Sequence, residues 1–586
     1  MRIRLFGIVL LAALQLAFSD LHEHEHEHKH LHEIFDDYWA YQLSVNPYLA
    51  GNSGITEANA QLPDASTEAL QAREAAYQTF LSRLQEVSYE RLTSQDQISY
   101  RLFERQLRNG IEAHALREYL LPLNGWWDYH ATFAEQPNRM PFSTVRDYEN
   151  YLSRLQAFPA MNAQYLGRLR MGIEAGVVRP RVVLENYIPT VEALISEEAA
   201  DSRFMLPFER FPASVSEAER TRLREEALRI IGAEVLPAYR ELAAFLRDEY
   251  YAAAPEAIGI SQVPGGAAYY EYLVRFYTTL DVSAGEIHQT GLAEVARIRA
   301  EMLEVIEETG FEGDFDEFVT YLRTDPKFYA QSAEELMMRT ALVLKQMDGA
   351  LPGFFGRLPR MPYGLREVPA YLAPRMTTAY YNSPSQDGTR AGFYFVNTYD
   401  LPSRPLYEIE ALSFHEAVPG HHLQLALQQE LEGLPEFRRN SSVTVFVEGW
   451  ALYAEWLGLE MGFYQDPYSN FGRLTYEMWR ALRLVVDTGI HAKGWTRQQA
   501  IDYMAENSAL TLLNIRNEVD RYIFWPGQAL AYKTGEIKIR ELRREAEEAL
   551  GDSFDIRAFH DMVLANGSIT LEVLEQEVRA WIDDNR

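Results

Sequence analysis

What most limits the folds open to this chain is an apolar rhythm of three to four residues, which runs with few breaks from Ile34 to the C-terminus. That spacing lines apolar side chains along one stripe of an α-helix, whereas a half-buried strand needs alternation. Residues 66–120 carry it as Leu70, Ala75, Phe80, Leu81 and Leu84, then Tyr100, Leu102 and Leu107, among Glu, Arg and Gln. The spacing predicts long amphipathic helices there and over 143–177, 183–200, 216–250, 283–309, 315–322 and 332–348. Another helix opens at Ile34 and ends near Asn46-Pro47. Proline and glycine clusters near 136–141, 205–212, 255–266 and 351–374 separate helices rather than domains, and no fixed-period repeat occurs. The expected fold class is mainly α.

Leu372 to Asp400 departs from this rhythm. Thr377-Thr378-Ala379-Tyr380-Tyr381 and Gly392-Phe393-Tyr394-Phe395-Val396-Asn397-Thr398 are rich in aromatic and β-branched residues, with Ser383 to Gly388 between them. They predict a β-hairpin or small sheet. An edge strand can pair with an extended peptide, which makes Tyr394 and Asn397 candidates for substrate contact. The chain returns to helix after Leu406, so residues of about 372–586 form the catalytic part of a body spanning 34–586.

Composition narrows the function classes. Of 586 residues, 47% are hydrophobic and 12% aromatic, enough for a large core and incompatible with a mostly disordered chain. Mean hydropathy is −0.27 and the single long apolar run is N-terminal, which excludes a multi-span membrane protein. A net charge of −30 repels phosphate backbones and argues against nucleic acid as a partner. With no cysteine there is no disulfide, no thiolate zinc site, no cysteine nucleophile and no lipid attachment through an N-terminal cysteine.

The N-terminus has the layout of a secretory signal peptide at residues 1–19. Met1 to Arg4 is basic, Leu5 to Phe18 is apolar except for Gln15, and Ala17-Phe18-Ser19 suits cleavage before Asp20. Fourteen helical residues span about 21 Å, short of the ~30 Å hydrocarbon core, so no membrane span remains after cleavage. The expected destination is periplasmic or extracellular. Residues 20–33 follow with six of the chain's 14 histidines, alternating with glutamate. That pattern predicts a mobile tail with an affinity for divalent metal.

The chemistry concentrates in Ser413-Phe414-His415-Glu416-Ala417-Val418-Pro419-Gly420-His421-His422-Leu423-Gln424. It begins like H-E-x-x-H, in which two histidines four residues apart hold zinc and the glutamate is the general base. Here the fourth position after His415 is Pro419, which cannot ligate. In a straight helix the seventh position lies about 10.5 Å along the axis, too far for zinc bonds of ~2.1 Å. Pro419-Gly420 must therefore fold the turn into a bulge that returns His421 or His422 to His415. A third ligand is expected from Val445-Phe446-Val447-Glu448-Gly449-Trp450-Ala451-Leu452-Tyr453-Ala454-Glu455, where a carboxylate on so apolar a helix is costly unless paired or metal-bound. Glu448 is the candidate ligand, and Glu455 the candidate to orient a ligand histidine.

His-Glu-Ala-x-Pro-Gly-His-His followed by Glu-Gly-Trp-Ala-Leu-Tyr-Ala-Glu resembles the bacterial domain-of-unknown-function family 885, placed with the zincin metallopeptidases beside the thimet-type oligopeptidases and Taq carboxypeptidases. Tyr277 to Asp281, Glu286 to His288, Arg483 to His491 and Tyr522 to Lys533 also match, so the resemblance covers nearly all of the mature chain. It implies a zincin-like helical body with a deep cleft, and short peptides as substrates. Likeness to the Taq carboxypeptidases favours His421 as the second ligand, and the spacing to Glu448 in the thimet group favours His422. Tyr532 falls where related oligopeptidases carry an active-site tyrosine.

Arg480, Arg483, Asp487 and His491 step by three or four along one helical face. Tyr532 and His491 are candidate donors to an oxyanion. Arg483 and Arg521 are candidates to bind a substrate carboxylate or to form internal ion pairs, and Lys533 could do either. The expected activity is zinc-dependent peptide hydrolysis, with Glu416 as the base that takes a proton from the attacking water. Three rivals remain at this level: an inactive metal-binding protein, a scaffold keeping only the fold, and a zinc hydrolase of another amide or ester. Oligomeric state is not encoded legibly.

Overall fold

The structure is a computed structural model. It describes every residue except Met1, Trp126, Trp127, Tyr371, Leu372, Arg375, Gln386, Asp387 and Thr389, with side chains from His24 onward. The signal peptide expected at residues 1–19 therefore lies outside the described side chains, and the expected turn from Ser383 to Gly388 lies partly outside the described residues.

Helix accounts for 72% of the chain, as the three-to-four-residue rhythm requires. Helix α1 (Arg2–Val45) ends where Asn46 caps the following turn and Pro47 opens it. Residues 24–33, expected as a mobile tail, are instead the middle of α1. Leu31, Ile34, Phe35 and Tyr38 fall at i, i+3, i+4 and i+7 and are buried, with Phe35 against Phe103 and Phe437. The His/Glu alternation hides the first member of that stripe. Helices α2 (Thr67–Gln85) and α3 (Ser94–Ala115) form a hairpin beneath it. Helix α4 (Val145–Ala175) opens with a reciprocal Thr144–Asp147 capping box and closes at Gly176 in the left-handed region. The stretch expected at 183–200 is helical only over Arg181–Glu192.

Helix α5 (Gly266–Thr278) leads to α6 (Ala284–Glu308), capped by Ser283 and Glu286, and then to α7 (Ala333–Ala350). Three strands follow: β1 (Tyr363–Glu367), β2 (Ala379–Asn382) and β3 (Gly392–Val396), in spatial order β1-β3-β2. β2 and β3 are antiparallel, with Tyr381 opposite Tyr394, and they occupy the segment whose composition predicted strand. β1 pairs parallel to β3, with Leu365 opposite Tyr394; it lies within the Pro/Gly break at 351–374, where no strand was expected.

The C-terminal half is α8 (Ile409–Glu416), α9 (His421–Gln429), α10 (Thr444–Leu457), α11 (Pro467–Lys493), α12 (Leu512–Phe524), α13 (Ala531–Leu550) and α14 (Leu571–Asn585). α11 packs along α6 and is buried on all sides from Phe471 to His491, which makes it the axis of this half. A cleft of about 2000 Å³ runs between the two halves, walled by Tyr380 and Asn382 of β2, Phe393 and Phe395 of β3, and Glu518 and Arg521 of α12. Among the described residues no helix is long and apolar enough to cross a membrane.

Candidate metal centre

Helices α8, α9 and α10 bring three donor side chains to one point. α8 carries His415 and Glu416 at its C-terminal end and stops because Ala417 (φ −105°, ψ −103°) and Gly420 (φ −71°, ψ −129°) leave helical space. The chain turns through Val418 and Pro419 and restarts as α9 at His421. The turn lays the His421 ring 4.7 Å from that of His415, nearly perpendicular to it. Only glycine permits this path at 420, since a Cβ would lie 2.0 Å from the carbonyl oxygen of His415 and 2.3 Å from that of Phe414. The Trp450 indole Nε1 donates to the Pro419 carbonyl at 2.8 Å and ties the turn to α10.

α10 supplies Glu448. Its Oε2 lies 3.4 Å from His415 Nε2 and 3.5 Å from His421 Nε2. The helix reaches this depth because Gly449 meets Gly535 of α13 backbone to backbone; a Cβ on Gly449 would sit 2.5 Å from the Gly535 Cα. His415 Nδ1 donates to Glu455 Oε1 at 2.7 Å, which turns its Nε2 towards Glu448 and His421. Arg480 Nη2 lies 3.4 Å from the same Glu455 oxygen.

This donor set fits zinc. A tetrahedron with arms of ~2.05 Å has edges of about 3.3 Å, close to both distances measured from Glu448 Oε2. Glu448 Oε2 and His421 Nδ1 are buried without a hydrogen-bond partner, as Glu448 Oε2 would be if its partner were a cation. The electrostatics agree. Burial would lift the Glu448 carboxyl, but His421 and His415 hold it well below its ordinary value, so it stays ionised. Burial opposes charge on His415, yet Glu448 and Glu455 raise it to about 9. Burial lifts Glu416 above the ordinary carboxylate range, with Glu448 adding to the lift and the two histidines opposing it. Among the described residues nothing hydrogen-bonds the Glu416 carboxylate. Two neighbouring carboxylates are thus pushed apart, one towards permanent charge and one towards proton exchange.

His422 is excluded from the cluster. Its Nε2 donates to the Met361 carbonyl at 3.0 Å, and its Nδ1 accepts from the Tyr381 hydroxyl at 2.8 Å. Burial lowers its pKa to about 4, so it is a neutral tie between α9 and the sheet.

The remaining sequence candidates divide sharply. Tyr532 belongs to the site: its ring lies parallel to that of His415, 6.5 Å away, and its oxygen accepts from Arg521 and Gln528 at 3.3 Å each. Tyr394 is buried beside Glu416 and does not line the cleft. Arg521 lines the cleft, while Arg483 donates to Glu518 at 2.9 Å and to the Tyr522 hydroxyl at 3.2 Å, with its guanidinium over the Tyr532 ring. His491 offers no donor to the site. Its Nδ1 accepts from the Ile260 amide and its Nε2 donates to the Tyr522 carbonyl, and burial lowers it to about 4. Asn397 does not face substrate; its amide donates to the carbonyls of Ala373, Met376 and Thr377 and its oxygen accepts from the Tyr399 amide. Lys533 is fully buried between Glu477, Glu536 and Glu294 at 2.8, 2.7 and 3.0 Å. Each of these three lies where a buried polar group must find internal partners, so their polarity serves the core. The sequence reading missed Trp450 and the Gly449–Gly535 contact, although a glycine inside an apolar helix is itself a sign of close backbone approach.

The family model for bacterial proteins of unknown function, DUF885, matches residues 47–578. The chain belongs to this family. Two solved structures share its fold. One, from Colwellia psychrerythraea and described as a "putative lipoprotein", is 27% identical with a TM-score of 0.86, covering 94% of this chain and 99% of that one. The other, from Shewanella oneidensis and described as a "putative lipoprotein of unknown function", is 20% identical with a TM-score of 0.71 over the same shares. No curated protein matches the chain.

Proposed function

We propose that this DUF885 chain is an exported zinc-dependent hydrolase of peptide bonds in short peptides. The observation that carries the reading is the His415–His421–Glu448 triangle, with donor separations of 3.4 and 3.5 Å from Glu448 Oε2 and the unbonded Glu416 carboxylate beside it. Three protein ligands leave a fourth position open, the pattern of catalytic rather than structural zinc sites. Bound zinc would supply a Lewis acid that polarises a carbonyl and acidifies water. Glu416, its affinity for protons raised by burial, takes the proton of the attacking water and passes it to the leaving amine. Tyr532 has its oxygen occupied as an acceptor, which leaves its O–H to donate to the oxyanion.

The cleft, whose lining holds none of the three donors but includes Arg521 bonded to Tyr532, supports a peptide substrate. β2 is an edge of the sheet and its Tyr380 and Asn382 line the wall, where an extended chain can pair. Arg521 bridges this wall to Tyr532 and suits a substrate carboxylate. Export rests on the N-terminal segment and is compatible with the lipoprotein descriptions of the two neighbours, although this chain has no cysteine for lipid attachment. The test is Glu416→Gln in the processed chain, with a mixed peptide library read by mass spectrometry. The parent should cleave short peptides, and the variant should keep zinc and its melting temperature but lose at least ~10²-fold in turnover. A metal-replete parent that cleaves nothing would overturn the reading.

A further inference from the structure

A second donor cluster lies far along the chain from the first. His28 and His32 are four residues apart on α1 and share one face, with ring centroids 4.2 Å apart. Both point at Asp96 in the first turn of α3: His28 Nδ1 is 2.7 Å from Oδ2 and His32 Nε2 is 2.9 Å from Oδ1. Asp96 is buried, whereas the His28 side chain is 52% exposed and that of His32 31%, so the cluster has a closed floor and an open top. The adjoining stripe of α1 holds Leu31, Ile34, Phe35 and Tyr38 in the core, with the Phe35 ring 5.6 Å from that of His32, which fixes the angle at which the two imidazoles meet the carboxylate. Glu27 adds a tether by accepting from the Ser88 amide at 2.9 Å.

We infer that His28, His32 and Asp96 form a second divalent-metal site, suited to zinc, that clamps the N-terminal helix onto α3. Two imidazoles and a carboxylate are a zinc donor set, and the donor atoms of the three residues all lie within 4.8 Å of one another. The present contacts are hydrogen-bond lengths, shorter than the ~3.3 Å edge of a zinc tetrahedron. Binding therefore displaces the bridging protons and spreads the imidazoles outward by about half an ångström, which the exposed top of the cluster allows. Among the described residues the other histidines of the segment lack such a floor. His26 and His30 stand 6.4 Å apart, and the His24 ring is engaged by the Arg91 carbonyl. The site does not depend on the proposed activity, since it shares no residue with the His415 centre.

The test uses the processed chain carrying His415→Ala, which empties the first centre and leaves the second to be read alone. Zinc remaining after gel filtration should be about one per chain. Adding His28→Ala and His32→Ala should take it to zero, and Asp96→Asn should weaken binding at least tenfold, whereas adding His26→Ala and His30→Ala should leave it unchanged. In the parent, EDTA should speed proteolysis within residues 24–33, and it should do nothing further to the His28→Ala/His32→Ala chain. Equal loss of zinc from the two double-histidine variants would reduce the segment to a non-specific histidine run and overturn the site. So would full zinc retention after His28→Ala/His32→Ala.

Discussion

Glu455 gives the sharpest test of how the candidate metal centre is held. Its carboxylate accepts from His415 Nδ1 at 2.7 Å, and both side chains are almost fully buried. A buried hydrogen bond to a charged group contributes about 1.5–3 kcal/mol. Replacing an outer partner of a ligand histidine weakens metal affinity about 10–100-fold, or about 1.4–2.7 kcal/mol, which agrees with that range. Glu455→Gln keeps an acceptor for Nδ1 and so keeps the tautomer, but it removes the charge that makes Nε2 a stronger donor and that faces Arg480. Its zinc affinity should fall about tenfold. Glu455→Ala removes the acceptor as well, leaves Nδ1–H buried and unpaired, and should fall about 100-fold with a clear loss of stability. Competition against a fluorescent zinc chelator measures both. Affinities within threefold of the parent for both variants would refute the view that Glu455 orients His415.

His421→Ala should lose most bound zinc, while His422→Ala should keep it and loosen the sheet through loss of the Tyr381 and Met361 bonds; zinc analysis with thermal melts separates the two. Gly449→Ala should destabilise the chain by about 1–3 kcal/mol in denaturant titration, since the new Cβ has only backbone to displace, whereas Gly232→Ala, with 3.5 Å to Ala199, should be nearly neutral. Burial holds the Asp487 carboxyl at about 7, above the ~3.9 of an unfolded chain, so the parent should lose stability as pH rises from about 4 to about 7 and change little from this source above that. Asp487→Asn should flatten that slope in denaturation midpoints taken between pH 4 and 8; an unchanged slope would remove Asp487 as its source.

The helices were legible because each buries one stripe, and periodicity reports the stripe directly. The expected helices at 143–177 and 283–309 correspond to Val145–Ala175 and Ala284–Glu308 because Thr144 and Ser283 cap them where the rhythm begins. Failures arose where a local signal was overruled by partners distant in sequence. β1 has no alternation to read; it exists because β3 offers it a parallel edge. Residues 24–33 read as solvated because every second residue is charged or imidazole, yet Leu31 and the residues after it carry enough apolar surface to seat the helix.

The same reasoning explains which parts of the site could be read. Pro419-Gly420 had to break the helix, and a buried Glu448 had to find a cation or a partner, so His415, Glu416 and Glu448 followed from chain stiffness and desolvation alone. The choice between His421 and His422 did not. Adjacent residues on a helix point about 100° apart, so one faces α10 and the other faces the sheet, and the first turn of α9 decides which. That turn is set by Trp450 holding Pro419 from α10 and by Tyr381 and Met361 capturing the His422 ring. The polar stripe on α11 misled for a related reason. Arg483, Asp487 and His491 share a face as expected, but α11 is buried all round, so each found its own internal partner: Glu518 for Arg483, Tyr270 and the Gly527 amide for Asp487, and Ile260 with Tyr522 for His491. A stripe of charge on a central helix is therefore weak evidence for a binding site. On this chain the arginines are held in ion pairs inside the core, whereas Glu448 Oε2, facing two histidines with no hydrogen bond to it, is the better pointer to a ligand site.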